Sequence, residues 1–198
     1  MKYGELNLGQ VEALVNKLGG IENVKCLLSG AMVIQLVERF KTWKTIKLGT
    51  LKTADEFRKA LKDNGFNISD WANNILGKPA FKAADEETEV DLVKVTVGEL
   101  GFKKGARRDQ IYDRAKELGL ELCSPEVGPQ LRLQYQDQPN GEWVLVGMEP
   151  IVDSVGGPKL FGVARIGSGL WLSGSWGSPD YFWIADYRWV FCRPCRSK

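Results

Sequence analysis

The 198-residue sequence contains no histidine. This absence excludes histidine-based catalytic triads, histidine general acid–base catalysis and every zinc site with a histidine ligand. Carboxylates, lysine, cysteine, serine and tyrosine can still carry chemistry, so an enzyme is disfavoured but not excluded. We therefore expect no cofactor and favour a function in binding.

Long hydrophobic runs are also missing. The longest apolar cluster, AMVIQLV at residues 31–37, is much shorter than the roughly 20 residues that cross a bilayer. The first ten residues, MKYGELNLGQ, lack the apolar region of a signal peptide. We expect a cytoplasmic protein without a membrane partner.

Neither sign of charge is in clear excess. The 27 Lys and Arg residues stand against 25 Asp and Glu residues, which leaves a net charge of +2. The net charge of the chain is therefore too small to attract a polyanion, and binding to a nucleic acid would need a local basic patch. With 43% hydrophobic residues, the chain can bury one ordinary core or two small ones.

Cysteine is scarce, and only Cys192 and Cys195 have the Cys-x-x-Cys spacing. A structural zinc site needs four ligands, and the remaining thiols, Cys26 and Cys123, fit small core positions. A reactive thiol usually lies at a helix N-terminus, whereas Cys192 ends a predicted strand. We expect no metal site. The sequence leaves open whether Cys192 and Cys195 form a disulfide.

The first 130 residues are predicted to be mostly helical. Asn7 can cap a first helix and Gly19–Gly20 can end it, and a second short helix completes a hairpin. Residues 31–52 become β-like, and Thr53 and Glu56 form a capping box for a further helix.

A strand–helix–helix order over residues 42–76 recurs over residues 90–131. In both segments a helix ends at a glycine, Gly65 or Gly119, and a capping serine follows. This pattern suggests an internal duplication, although glycine-terminated helices are common.

Residues 131–198 are predicted to form an antiparallel β-meander. Alternating strands flank Asn140–Gly141 and Ser168–Gly169, both suited to tight hairpin turns, and YRWVFC supplies a last strand. The fold class is α+β, with the mostly helical residues 1–130 and the β-rich residues 131–198 packed as one globular unit.

Much of the chain resembles a known group of sequences. The stretches from TWKTIKLG to GKPAF, from VDLVKVTV to PIVDS, and GLWLSGSW with YRWVF resemble uncharacterised small proteins of candidate-phyla bacteria. Strings such as ISDWAN and EVGPQLRLQY make this resemblance specific, and it covers nearly the whole chain. It implies a bacterial protein but no activity, cofactor or site residue. Members end nearer VFVRP, which disfavours an essential metal role for the cysteine pair.

The C-terminal region is rich in aromatic residues, with five of the seven tryptophans between Trp143 and Trp189. Core packing is one interpretation, since aromatic residues dominate ordinary cores. The other is a surface that docks a protein partner, because Trp, Tyr and Arg are enriched at interface hot spots. For this surface we select Trp171, Trp176, Tyr181, Trp183, Arg165 and Arg188. Substituting Trp176 or Trp183 by alanine should then weaken partner capture while leaving the melting curve nearly unchanged.

Two alternative functions remain. A nucleic-acid binder would contact phosphates through Lys103, Lys104, Arg107 and Arg108, whose charge opposes the dipole of the helix that follows. A carboxylate-based hydrolase would use two of the acidic residues between positions 126 and 153 as acid and base. The sequence alone does not show which two of them lie close together.

Overall fold

The computed structural model describes residues 7–32 and 40–194. Contacts between Cα atoms divide the chain into two compact units, with the boundary between residues 39 and 40. The predicted division near residue 130 is a different one, and it stays a prediction.

The first unit contains the two helices predicted near the N-terminus, α1 (Leu8–Lys17) and α2 (Ile21–Leu28). The Asn7 side chain accepts a hydrogen bond from the backbone N–H of Gln10, whose own side chain accepts one from the N–H of Asn7. This reciprocal pair caps α1 as expected. No helical residue of residues 7–32 is buried within this unit. Of the β-like stretch predicted over residues 31–52, residues 33–39 lie outside the described residues, and residues 44–48 form a strand in the second unit.

The second unit carries the rest of the regular structure, and its mixed composition confirms the α+β class. Its helices are α3 (Ala54–Asp63), α4 (Asp70–Leu76), α5 (Arg108–Glu117) and α6 (Val127–Gln134). Its strands are β1 (Lys44–Leu48), β2 (Asn67–Ile68), β3 (Thr88–Thr96), β4 (Ala106–Arg107), β5 (Trp143–Val146), β6 (Ile151–Val152), β7 (Pro158–Ile166), β8 (Gly169–Trp176), β9 (Phe182–Trp183) and β10 (Arg188–Cys192).

Eight strands, including the first and the last of this unit, form one sheet. Their order is β1-β3-β10-β5-β7-β8-β2, with β6 beside β7. The pairs β10–β5 and β2–β8 are parallel, and the other pairs are antiparallel. The predicted hairpin near Ser168 is confirmed, since Ile166 pairs with Gly169 across a two-residue turn. The predicted antiparallel meander is confirmed for β5, β7 and β8, which pair in turn. Its extension to the last strand is wrong, because β10 lies between β3 and β5 and is parallel to β5. A separate ribbon pairs β4 with β9.

The strand predicted from residue 131 is also wrong, since residues 127–134 form α6. Val127 and Leu131 are four positions apart, as one face of a helix requires, and both are fully buried. The alternation in LRLQYQ therefore arises within a helix that packs on β7 and β8. Gly141 still makes a turn with φ of 80°, but that turn leads from α6 into β5.

The sheet is covered on two faces. Trp189 of β10 pairs with Leu145, which pairs with Gly162, so Trp189 and Phe161 point to opposite faces. Tyr112 of α5 packs edge-on against Trp189, with ring centroids 5.7 Å apart. Phe161 instead meets Phe81 at 6.1 Å, on the side where α6 packs. None of the helices in the two described ranges is long and apolar enough to span a membrane.

Both segments of the suggested duplication contain a strand followed by two helices, β1–α3–α4 and β3–α5–α6. In the first segment the short β2 precedes α4, and in the second the short β4 precedes α5. The duplication stays a prediction, and the shared order of elements agrees with it.

A buried carboxylate ties α6 to the edge of the sheet. Glu126 is fully buried, and its side chain accepts hydrogen bonds from the backbone N–H groups of Gly49 at 2.6 Å and Ala84 at 2.7 Å. Gly49 has φ of 75°, a conformation suited to glycine, which turns its N–H toward the carboxylate.

The substitution Glu126→Ala should lower the free energy of unfolding by about 2 to 5 kcal/mol, because it leaves the buried N–H of Gly49 and the half-buried N–H of Ala84 without an acceptor. Urea denaturation measures the loss. The control is Glu149→Ala, which removes an exposed carboxylate and should change stability by no more than about 0.5 kcal/mol. Equal stability of the two variants would contradict this role of Glu126.

Candidate aromatic binding site

Six aromatic side chains line one cavity of about 290 Å³ in the second unit. They come from α4, from β5 and β8, and from the segment 181–187 that contains β9. We call this cavity the aromatic groove; its lining consists of Trp71, Trp143, Gly174, Ser175, Trp176, Tyr181, Trp183 and Tyr187.

The start of α4 places Trp71 in the groove. The Ser69 hydroxyl accepts hydrogen bonds from the backbone N–H of Ala72, which caps α4, and from that of Gly174 in β8. A Cβ atom on Gly174 would lie 2.5 Å from the Cβ of Trp71. Glycine at position 174 therefore lets the helix approach the strand closely, and Trp71 reaches Trp176 with ring centroids 5.1 Å apart.

A buried lysine supports these two indoles from outside the groove lining. The Lys159 ammonium lies 3.3 Å from the ring centroid of Trp176 and 4.0 Å from that of Trp71. Its Nζ is 3.5 Å from a carboxylate oxygen of Asp153, and both side chains are almost fully buried. A buried charge needs such a partner, and the two aromatic faces add cation–π attraction.

Asp153 is held by backbone groups as well. Its carboxylate accepts hydrogen bonds from the N–H of Gly157 at 2.7 Å and of Val155 at 3.0 Å. These bonds, led by the one from Gly157, and the nearby Lys159 hold the pKa of Asp153 below its ordinary value of 3.8.

The segment 181–187 contributes three rings to the groove, and the middle one, Trp183, contacts the other two. Trp183 lies 4.9 Å from Tyr181 and 5.0 Å from Tyr187 between ring centroids, at interplanar angles of 55° and 72°. Trp183 is 5% exposed, whereas the two tyrosines are about two-fifths exposed. The indole N–H groups of Trp143 and Trp183 are buried and have no acceptor among the described residues. The indole N–H of Trp189 in the core and the Nε atoms of three arginines are in the same state, so this feature does not distinguish the groove.

Three of the six residues selected from sequence line this groove, namely Trp176, Tyr181 and Trp183. The other three do not. Trp171 is half-buried beside Gly169, Arg165 donates to the carbonyl of Gln138, and the exposed Arg188 lies 4.0 Å from Glu142.

The sequence left open whether the C-terminal aromatic residues pack in the core or form a binding surface, and Trp183 does both. It lines the groove, and its ring also packs 5.4 Å from that of Trp189 in the core. The expectation that Trp183→Ala leaves the melting curve unchanged is therefore not supported by its burial.

Sequence reasoning missed Trp71, Trp143 and Tyr187 as members of the groove. Trp71 lies about a hundred residues from Gly174, and only the tertiary contact of α4 with β8 brings the two together. No local pattern signals that contact. Tyr187 could have been selected, because it belongs to the same aromatic run as Tyr181.

The predicted basic cluster lies around the β4–β9 ribbon. Lys103, Lys104 and Arg107 are exposed, and Arg107 forms an ion pair of 2.9 Å with Asp109. Arg108 starts α5 and stacks over the ring of Tyr112 at 4.7 Å. The four residues thus lie near the start of a helix, as expected, but Arg108 serves the packing of α5.

The ribbon brings the basic and aromatic segments together. Arg107 pairs with Phe182, which is 54% exposed and does not line the groove. A Cβ atom on Gly105 would lie 2.7 Å from the Phe182 ring, so the turn that carries the lysines approaches β9 closely. We call the exposed group of Lys103, Lys104, Arg107 and Phe182 the basic ridge.

The cysteines are arranged differently from what the Cys-x-x-Cys spacing suggests. The thiol of Cys192 interacts with that of Cys123, while Cys195 lies outside the described residues. Burial raises the pKa of Cys123, whose thiol donates a hydrogen bond to the Val190 carbonyl at 3.6 Å, and the nearby Cys123 side chain lowers the pKa of Cys192. Cys123 is a buried core residue as expected, but Cys26 is exposed. Within residues 7–32 and 40–194, no three cysteines or carboxylates group closely enough to hold a metal ion.

Four of the five acidic residues from position 126 to position 153 have separate structural partners, and the fifth, Glu149, is exposed. Glu142 accepts hydrogen bonds from the hydroxyl of Tyr135 at 2.6 Å and from Lys94 at 2.7 Å. Burial and the contact with Glu142 raise the pKa of Tyr135 above its ordinary value. Asp137 lies 3.9 Å from Lys44. None of these contacts forms a carboxylate pair of the kind that a hydrolase uses.

Comparison with known proteins yields no relative: no protein-family model, curated protein sequence or solved structure matches the chain.

The most buried and the more exposed rings of the groove should respond differently to truncation. Trp183→Ala should lower the free energy of unfolding by about 3 to 5 kcal/mol, because it removes a core ring. Trp176→Ala should cost about 1 to 2 kcal/mol, through its contacts with Lys159 and Trp71. Urea denaturation of both variants tests the order, and a larger loss for Trp176→Ala would contradict it.

The Asp153 carboxylate should make the free energy of unfolding depend on pH in the acidic range. Because the pKa of Asp153 is lowered in the folded state, its carboxylate contributes fully to stability well above the ordinary pKa of 3.8, and this contribution is lost as pH falls through the folded-state pKa. Asp153→Asn should therefore weaken the decline in urea midpoint below about pH 4. Parallel pH profiles for the variant and the parent protein would refute this dependence.

Proposed function

We propose that the protein is a non-enzymatic binding protein, and that its aromatic groove captures a segment of a partner protein. The observation that carries this proposal is the convergence of six aromatic side chains from four regions of the chain on one open cavity.

The exposure of the rings supports binding over simple core packing. Trp71, Trp176, Tyr181 and Tyr187 remain between 39% and 42% exposed although they touch other rings. A folded protein rarely leaves so much clustered apolar surface in water without an interaction that covers it. Tryptophan and tyrosine also supply most of the binding energy at protein interfaces.

The size of the groove favours one anchoring side chain. Cavities for drug-sized ligands usually start at about 300 Å³, and this groove lies at that lower limit. A single side chain inserted into a pocket is how a peptide segment commonly gains affinity and register on a partner.

Selection of displayed random peptides on the immobilised protein tests the proposal. Peptides that the parent protein enriches should bind at least about tenfold more weakly to Tyr181→Ala, which removes a ring from the groove. Phe182→Ala is the matched control, because it removes a neighbouring exposed ring that does not line the groove. Failure to enrich any peptide, or equal binding by Tyr181→Ala, would refute the proposal.

A second candidate function rests on the basic ridge. Exposed Lys103, Lys104 and Arg107 beside the exposed Phe182 ring combine charge for phosphates with a surface on which a base can stack. Proteins that bind single-stranded nucleic acids use this combination. The small net charge and the ion pair of Arg107 with Asp109 make this candidate second to the groove.

Fluorescence anisotropy with single-stranded oligo(dT) and oligo(U) at low salt tests this candidate. Binding should fall steeply as salt rises and should be lost in Lys103→Glu/Arg107→Glu. Arg108 is not substituted, because it stacks on Tyr112 and its replacement could destabilise the fold. A loss of binding could then not be distinguished from a loss of structure. Tyr181→Ala should bind as the parent does, and absence of binding at low salt excludes the candidate.

A further inference from the structure

We propose that Cys192 is oxidised by hydroperoxides, of which hydrogen peroxide is the simplest, and then forms a disulfide with Cys123. This inference goes beyond the proposed function, because it concerns a pair of thiols at the end of β10 and not the aromatic groove.

Backbone pairing holds the segment that contains Cys123 beside the end of β10. The N–H of Glu121 donates to the carbonyl of Cys192 at 2.9 Å, and the N–H of Cys192 donates to the carbonyl of Glu121 at the same distance. Glu121 and Cys123 both form β-bridges, and residues two apart in such a segment share a face. The Cys123 thiol reaches the Val190 carbonyl, two residues before Cys192, at 3.6 Å. The fold therefore brings both thiols to one face at the end of β10.

The two thiols lie close enough to act on each other directly. Burial and the neighbouring Cys192 thiol raise the pKa of Cys123, whereas the Cys123 side chain lowers the pKa of Cys192. Because hydrogen bonds already hold the two backbone segments together, a disulfide requires rotation of the side chains and not movement of the strands.

Exposure assigns different roles to the two cysteines. Cys192 is half-buried, and its lowered pKa favours the thiolate, which is the form that attacks a peroxide. Its sulfur bonds to one peroxide oxygen, the O–O bond breaks, and Cys192 becomes a sulfenic acid while hydroxide leaves. Cys123 is only 4% exposed, so solvent oxidants reach it poorly, and its thiol supplies the second sulfur.

The second step closes the disulfide. The Cys123 sulfur attacks the sulfenic sulfur of Cys192, so that the S–S bond forms, the S–O bond breaks, and the thiol proton leaves with the hydroxide as water. The two thiols are thereby oxidised, and one molecule of hydrogen peroxide is reduced to water. A dithiol reductant reverses the reaction by thiol–disulfide exchange.

The cross-link fastens the strand that joins the two parts of the main sheet. β10 lies between β3 and β5, and Cys192 is its last residue. The disulfide closes a loop of about 70 residues, which lowers the entropy of the unfolded chain and so stabilises the folded one.

Mass spectrometry of the parent protein after treatment with hydrogen peroxide tests the inference. Digestion without a reductant should yield a cross-linked pair of peptides that contain Cys123 and Cys192, and dithiothreitol should separate them. The thermal unfolding midpoint of the oxidised protein should lie about 5 to 15 °C above that of the reduced protein. Cys192→Ser should lose this gain. Cys26→Ser/Cys195→Ser should keep it, because this variant removes the other two cysteines and retains the pair.

Three results would overturn the inference. The first is a disulfide between Cys192 and Cys195, or a sulfinic acid on Cys192 with Cys123 still reduced. The second is a Cys192 that stays reduced while the exposed Cys26 is oxidised. The third is an equal unfolding midpoint for oxidised and reduced Cys26→Ser/Cys195→Ser, which would show that no cross-link fastens β10. None of these measurements involves the aromatic groove, so peptide capture is tested separately.

Discussion

The packing of Trp189 in the central strand β10 is the contact on which the second unit depends. Its ring is fully buried and lies within 6.2 Å of the rings of Tyr112, Trp183 and Phe191, measured between centroids. Through these neighbours one indole links α5, the β4–β9 ribbon and the main sheet. Because β10 also pairs with both β3 and β5, removal of this strand would separate the sheet into two pieces.

The aromatic groove is an extension of that core toward the surface. Trp183 touches Trp189 on its inner side and the half-exposed tyrosines 181 and 187 on its outer side. The sheet core therefore fixes the inner wall of the groove, while the cap of α4 at Ser69 and the Lys159–Asp153 pair fix the opposite wall through Trp71 and Trp176. A site positioned from both sides in this way is preorganised for binding.

Local signals in the sequence predicted the regions of the fold whose structure is decided locally. Asn7 and Thr53 cap helices as their spacing indicates, and the two-residue turn before Gly169 closes a hairpin. The failures lie where tertiary packing decides. LRLQYQ alternates like a strand but forms a helix on the sheet, and nothing local places β10 between β3 and β5. The groove was predicted only in part for the same reason. The aromatic residues near positions 176–183 are visible in the sequence, but their contact with Trp71 depends on tertiary packing.

The place of β10 also determines when the sheet can be completed during synthesis. Strands β3 and β5 precede β10 by about ninety and forty residues, and they meet only through it. Until residues 188–192 have left the ribosome, both strands expose unpaired backbone edges that can join other chains. Closure of such distant contacts is slow compared with helix formation. Nascent chains that stop short of β10 should therefore depend on a chaperone that shields extended strands.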